Sequence, residues 1–147
     1  MAKFIYRMEN ILRIKERLET QKKTEFAQCQ AKAVEEENKM RELLNRHKAY
    51  LNEQKEAANN KLDIIKIRHI GENIKIVREQ IRAQAVQVKV AHKNLEIAQK
   101  KLADAVMERK IQEKLKERAF EEFKIQLNAE EMKEIDEIVS FNYNNRS

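Results

Sequence analysis

The chain has 147 residues, enough for one ordinary domain, yet it holds one glycine, no proline and no tryptophan, and 38% of it is charged. Such a mix, rich in Glu, Lys, Ala, Leu, Ile, Arg and Gln, is that of long helices and coiled coils, and a single glycine excludes a Gly-rich phosphate loop or a dinucleotide fingerprint. The net charge of +6 divides into +3 over residues 1–60, +7 over 61–118 and −4 over 119–147, and disorder is excluded because Ile, Leu and Val recur at helical spacing among charges of both signs.

The first periodic segment opens near Phe4. Phe4, Met8, Ile11, Ile14 and Leu18 step by four, three, three and four. After a polar patch around Gln21 to Thr24 the stripe resumes as Phe26, Cys29, Ala33, Glu36, Met40, Leu43, His47, Tyr50, Gln54 and Ala57. Threes and fours alternate, as in a heptad seam with several polar members. Polar seam positions weaken a coiled coil, but they set its register and leave surface open to partners. The spacing predicts helix one over about 4–58.

The break is AANNKLD. Asn59-Asn60 is the strongest turn signal in the chain, because Asn tolerates left-handed geometry and bonds its own backbone. The turn is placed at 58–63, with Asp63 or Asn60 able to cap the next helix. Gly71 lies inside a continuing apolar pattern, so it weakens a helix rather than ending one.

Helix two is predicted over about 64–141. Ile67, Ile70, Ile74, Val77, Ile81, Gln84, Val88, Ala91, Leu95, Ala98, Leu102 and Ala105 hold the three-four alternation over several heptads. The β-branched run near Ile64–Ile81 favours a strand by propensity, but the length and the period favour helix. The polar end, 142–147, is expected to fray. Two helices joined by a short turn run antiparallel. The fold class is therefore all-α: a long antiparallel two-helix coiled-coil hairpin over 1–147, its second helix longer and overhanging at the C-terminal end. In KKLADAVMERKIQEKLKERAFEEF the apolar residues Met107, Ile111, Leu115, Ala119 and Phe123 are each four apart. That spacing reads as a stutter that locally unwinds the supercoil.

Nothing in the chain is arranged for catalysis. His47, His69 and His92 lie far from one another and from Cys29, so metal-ligand spacing is absent. Cys29 falls on the seam and reads as a small buried residue in a reducing compartment. Carboxylate pairs such as Glu121-Glu122 have no pocket to perturb them. No enzyme, cofactor or metal is expected. No apolar run is long enough for a membrane span, and no signal peptide is indicated at the start. Nucleic-acid binding is disfavoured because Asp104, Glu108, Glu113, Glu117, Glu121 and Glu122 interleave with the basic cluster of residues 100–118. Lys110, Lys114 and Arg118 nevertheless form one stripe beside Ile111 and Leu115. The plain reading is solvated charge, and the functional one is a helix entering a ring or groove with acidic loops.

Three blocks in order, FIYRMENILRIKERLE, KKLADAVMERKIQEKLKER and EEMKEIDEIVSFNYN, resemble the FliJ family of flagellar type III export proteins over essentially the whole chain. The resemblance implies an antiparallel two-helix rod in the cytoplasm, peripheral to the inner membrane at the flagellar base, with no catalytic residues and no membrane insertion. It implies a stalk seated in the hexameric export ATPase, FliI. It also implies contacts with the cytoplasmic part of the export gate, FlhA, and with export chaperones, and none with nucleic acid. For ATPase contact it points to Ile11, Leu12, Lys110, Lys114, Leu115 and Arg118. For the gate it points to Leu43, Tyr50, Ile70, Ile74 and Val77, where aliphatics stand in for aromatic and polar members of the family's pattern. Each apolar member also fits the interhelix seam. The alternative reading of the chain is a generic structural or homo-oligomeric coiled coil; a basic nucleic-acid-binding helical protein comes after it.

Overall fold

The computed structural model describes residues 3–59 and 63–146. The described chain is two α-helices, α1 over Glu9–Asn59 and α2 over Ile64–Arg146. They pack against each other and the second is longer. The middle of the expected turn, 60–62 with the candidate cap Asn60, lies outside the described residues. Asp63 does cap α2: its Oδ1 accepts hydrogen bonds from the backbone N–H groups of Ile65 at 3.2 Å and Lys66 at 3.3 Å. Two of the donors left over at any helix start are thereby satisfied. Gly71 interrupts nothing, and α2 runs through it.

Two boundaries differ from those expected of the spacing. Helix one begins at Glu9, not near Phe4, and the chain before it is not helical. The Met8 carbonyl accepts the first full helical bond, from the Leu12 N–H at 3.1 Å. Glu9 then brings a carboxylate to the positive end of the helix dipole. Phe4 is thus freed from helical geometry, and its ring packs edge-on against Phe120 at 5.1 Å and tilted against Phe123 at 5.4 Å. At the other end α2 continues to Arg146, past the limit expected at 141. Its last turns contain no glycine or proline to stop them.

The chain divides into two compact units, one of residues 22–102, the other of residues up to 21 with those from 103 on. In the unit of residues 22–102 the helices run antiparallel and the expected seam is the core. Ala33, Ile70, Ile74, Val77, Ala91 and Ala98 are buried. Phe26, Cys29, Met40, Leu43, His47, Tyr50, Gln54 and Ala57 are half-buried beside them. Small alanines let the two backbones approach, and the β-branched residues fill the remaining gaps. One polar layer crosses this core. The Gln84 amide donates to the Glu36 backbone carbonyl at 2.9 Å and to its carboxylate at 2.5 Å. Lys32, at 3.0 Å, and Lys39, at 3.7 Å, flank the same carboxylate. The hydrogen bond from Gln84, with Lys32 next, holds the Glu36 carboxyl below the usual glutamate range.

In the unit that holds both ends of the chain the helices again run antiparallel, but the seam is polar. Leu12 and Ala105 are buried, and so is Glu19. Glu19 forms an ion pair with Arg109, which also reaches Glu113 on its own helix at 2.8 Å. Lys116 pairs with Glu9 at 2.8 Å and Lys15 with Glu108 at 2.9 Å. Chiefly through Glu113, the Arg109 guanidinium is held charged even more firmly than usual. Beyond Leu127, residues 128–145 are all exposed.

Candidate interaction face

Apolar residues four apart imply a stutter in the pairing. The burial corrects that reading. Continuing the heptad phase of Leu102 and Ala105 leads to Arg109, Gln112, Lys116, Ala119 and Phe123, and all of these are half-buried. The pairing keeps its phase. Each four-residue step turns a helix by 400°, so a stripe of fours drifts by about 40° per step. It therefore winds across α2, from the outside at Met107 to the seam at Ala119 and Phe123. Met107 is 63% exposed, Ile111 51% and Leu115 40%.

The same competition occurs on α1. The apolar run Met8, Ile11, Ile14 and Leu18 is the seam that local spacing predicts. The phase of Phe26 and Ala33, carried seven residues at a time towards the N-terminus, falls instead on Glu19 and Leu12. Those two are buried, whereas Ile11 and Ile14 are exposed, Ile14 at 53%.

Some of these displaced residues lie on one flank of the unit, and the others turn outward from it. The Lys15–Glu108 ion pair marks that side of the seam. Ile11 and Leu18 lie one turn either side of Lys15, and Ile111 and Leu115 lie one and two turns beyond Glu108 on the same flank. In the antiparallel alignment set by Lys15–Glu108 and Glu9–Lys116, Ile14 is level with Ile111 and Ile11 is level with Leu115. Ile11 and Leu115 thus share an apolar flank made by both helices, while Ile14 on α1 and Ile111 and Met107 on α2 turn progressively outward from it, and neither helix covers them. Lys110, Lys114 and Arg118 are exposed and border them on the outside of α2. The opposite side of the unit differs in character: a groove there is lined by Phe4, Leu12, Glu16, Glu113, Lys116, Glu117 and Phe120, and is mostly acidic at its rim.

The expected site residues thus separate. Ile11, Lys110, Lys114, Leu115 and Arg118 sit on or beside the exposed face. Leu12 does not; it is buried at 4% exposure and holds α1 to α2. Of the gate set, Ile70, Ile74 and Val77 are buried in the seam of the other unit, and Leu43 and Tyr50 are half-buried there. Met107 and Ile111, part of the stripe of fours, are exposed as well, and so is Ile14, which sequence reasoning does not single out for binding. Their signal is the mismatch of phase between local apolar spacing and the long seam.

A family model described as Flagellar FliJ protein matches residues 4–147. The chain belongs to the FliJ family. No curated protein and no solved structure matches it. Membership makes this FliJ-family chain a component of the flagellar export apparatus, in a family of structural and generally non-enzymatic parts. Among the described residues no helix is long and apolar enough to cross a membrane, and no cluster of three or more His, Cys, Asp or Glu is placed to hold a metal.

Proposed function

We propose that this FliJ-family protein is a non-enzymatic stalk of the cytoplasmic export apparatus at the flagellar base. It enters the FliI hexamer, promotes its assembly and ATP hydrolysis, links it to FlhA and helps to handle export chaperones. One observation carries the reading: apolar residues left uncovered from the flank of Ile11 and Leu115 round to Ile111 and Met107 on the outside of α2, beside the basic residues Lys110, Lys114 and Arg118, with Ile14 exposed on α1. Monomers seldom leave such a face open without a partner for it. An apolar centre with a basic border suits a ring lumen with acidic loops, where the charges steer and the apolar contacts hold. A single asymmetric insert favours some subunit states over others, which is how binding alone can drive a cycle in the ring. For the gate, Leu43 and Tyr50 remain the candidates with side chains partly outside the seam. Ile70, Ile74 and Val77 support that surface from within.

The test is to mix the purified protein with FliI and follow ring formation and hydrolysis. Both should rise. The variant carrying Lys110→Glu, Lys114→Glu and Arg118→Glu should keep its helicity and lose the stimulation. No change in ring formation or hydrolysis with the unaltered protein sinks the reading, and full stimulation by the variant removes the basic border from it.

A further inference from the structure

α2 carries a second heptad seam that points away from α1. Ile111, Ile125, Met132 and Val139 are separated by multiples of seven, and Arg118 fills the gap between the first two. Met107 and Ile135 interleave with them at the alternate seam position. All six apolar residues are more than half exposed. The face they share lies roughly opposite the α1-facing residues Ala105, Arg109 and Gln112, since a seven-residue register keeps one direction along a helix. Nothing in α1 covers it. A sustained heptad seam calls for a helical partner lying alongside, not for a globular pocket.

We propose that this partner is a second copy of the chain, paired antiparallel through the outer face of α2. Charge selects the partner and its direction. The middle of the outer seam is Lys114, Arg118 and Glu121, and the helix changes from basic to acidic there, with −4 over residues 119–147. A parallel pair sets Arg118 against Arg118 and the acidic turns of residues 130–137 against themselves, which like charges oppose. An antiparallel pair about a two-fold axis between residues 119 and 120 places Arg118 opposite Glu121 of the second copy, twice. The same alignment brings Met107 opposite Met132 and sets Lys110 beside Glu131 and Glu117 beside Lys124. Residues 107–132 of each copy then overlap along roughly 40 Å of helix at ~1.5 Å per residue. The charged centre weakens the pair but sets its register, as buried polar seam residues do. The interface is isologous, so it closes at two copies and does not propagate.

The pair covers Met107, Ile111 and the basic residues given to the ATPase above, so the two occupants exclude each other on any one copy; the pairing itself is tested with the protein alone. Sedimentation equilibrium of the full chain at low salt, over a wide concentration range, should show a reversible monomer–dimer exchange that weakens as salt is added. Arg118→Glu and Glu121→Arg, each alone, should leave the circular dichroism unchanged and weaken dimerisation about tenfold or more. Mixing the two variants in equal amounts should restore it, because the mixed dimer has both pairs with opposite sign. A chain that stays monomeric throughout overturns the proposal. So does a mixture no more dimeric than its components, or a dimer indifferent to both reversals.

Discussion

Arg109 reaches from α2 to the buried carboxylate of Glu19 on α1 while holding Glu113 one turn along its own helix at 2.8 Å. This arrangement is the polar counterpart of an apolar seam layer. Its consequence is asymmetric: losing one member leaves a buried charge, whereas losing both leaves an ordinary apolar gap to fill. Arg109→Met should therefore lower the melting temperature clearly, and adding Glu19→Leu should recover most of the loss or exceed it. Thermal unfolding of the single and double variants decides this. A double variant as unstable as Arg109→Met alone shows that the charges themselves hold the layer.

Leu12 and Ile14 test the displaced phase. Leu12 is 4% exposed and Ile14 53%, although the local apolar spacing favours Ile14 as the seam residue. Leu12→Ala should cost about 2 kcal/mol or more, as for a buried leucine. Ile14→Ser should stay within about 0.5 kcal/mol of the unaltered chain. Chemical denaturation of both variants gives the comparison directly, and the reverse order would restore the stutter.

Glu36 makes stability depend on acid. Its folded carboxyl titrates below the ordinary value of 4.5, first because Gln84 donates to it and then because of Lys32. A depressed carboxyl stabilises the folded state fully above the unfolded value, and the contribution is lost as pH falls through the lower folded one. Glu36→Gln should be less stable near neutrality, and the gap to the unaltered chain should narrow as the pH is taken below 4.5. Denaturation midpoints measured across that range check the sign. A gap that widens with acid is incompatible with the depressed carboxyl.

The start of α2 offers two opposite changes. Asp63 caps two backbone donors, so Asp63→Ala should destabilise by about 1 kcal/mol. Gly71 lies inside the helix, and a methyl group added there meets nothing within 4 Å. Gly71→Ala should stabilise by about 1 kcal/mol, through helix propensity alone. Calorimetry of the two variants should show shifts of opposite sign.

Much of this is legible from spacing. The heptads from Phe26 to Ala57 and from Ile67 to Ala105 are inward-facing throughout, including the polar members Glu36, His47 and Gln84. A long repeat averages out local exceptions, so even a glutamate can be placed on the seam by its position. The aromatic at Phe4 is visible too, but not as part of a non-helical segment folded onto Phe120 and Phe123. Ring packing between residues more than a hundred positions apart leaves no periodic trace.

The candidate face is the part that spacing misjudges. Ile11, Ile14, Met107, Ile111 and Leu115 are visible as apolar residues at helical spacing; the run on α1 reads as core and the stripe of fours on α2 as a stutter in the pairing. A helix turns as one body, however, and neither helix can satisfy two phases at once. Residue order is enough to specify two long antiparallel helices, their unequal lengths, their main seam and the family to which they belong. Which of two competing phases is buried near the ends of the chain emerges only when the helices are packed together. The long seam prevails there, because keeping one register over many turns outweighs burying a few more methylenes at the end. The apolar residues that lose stay exposed.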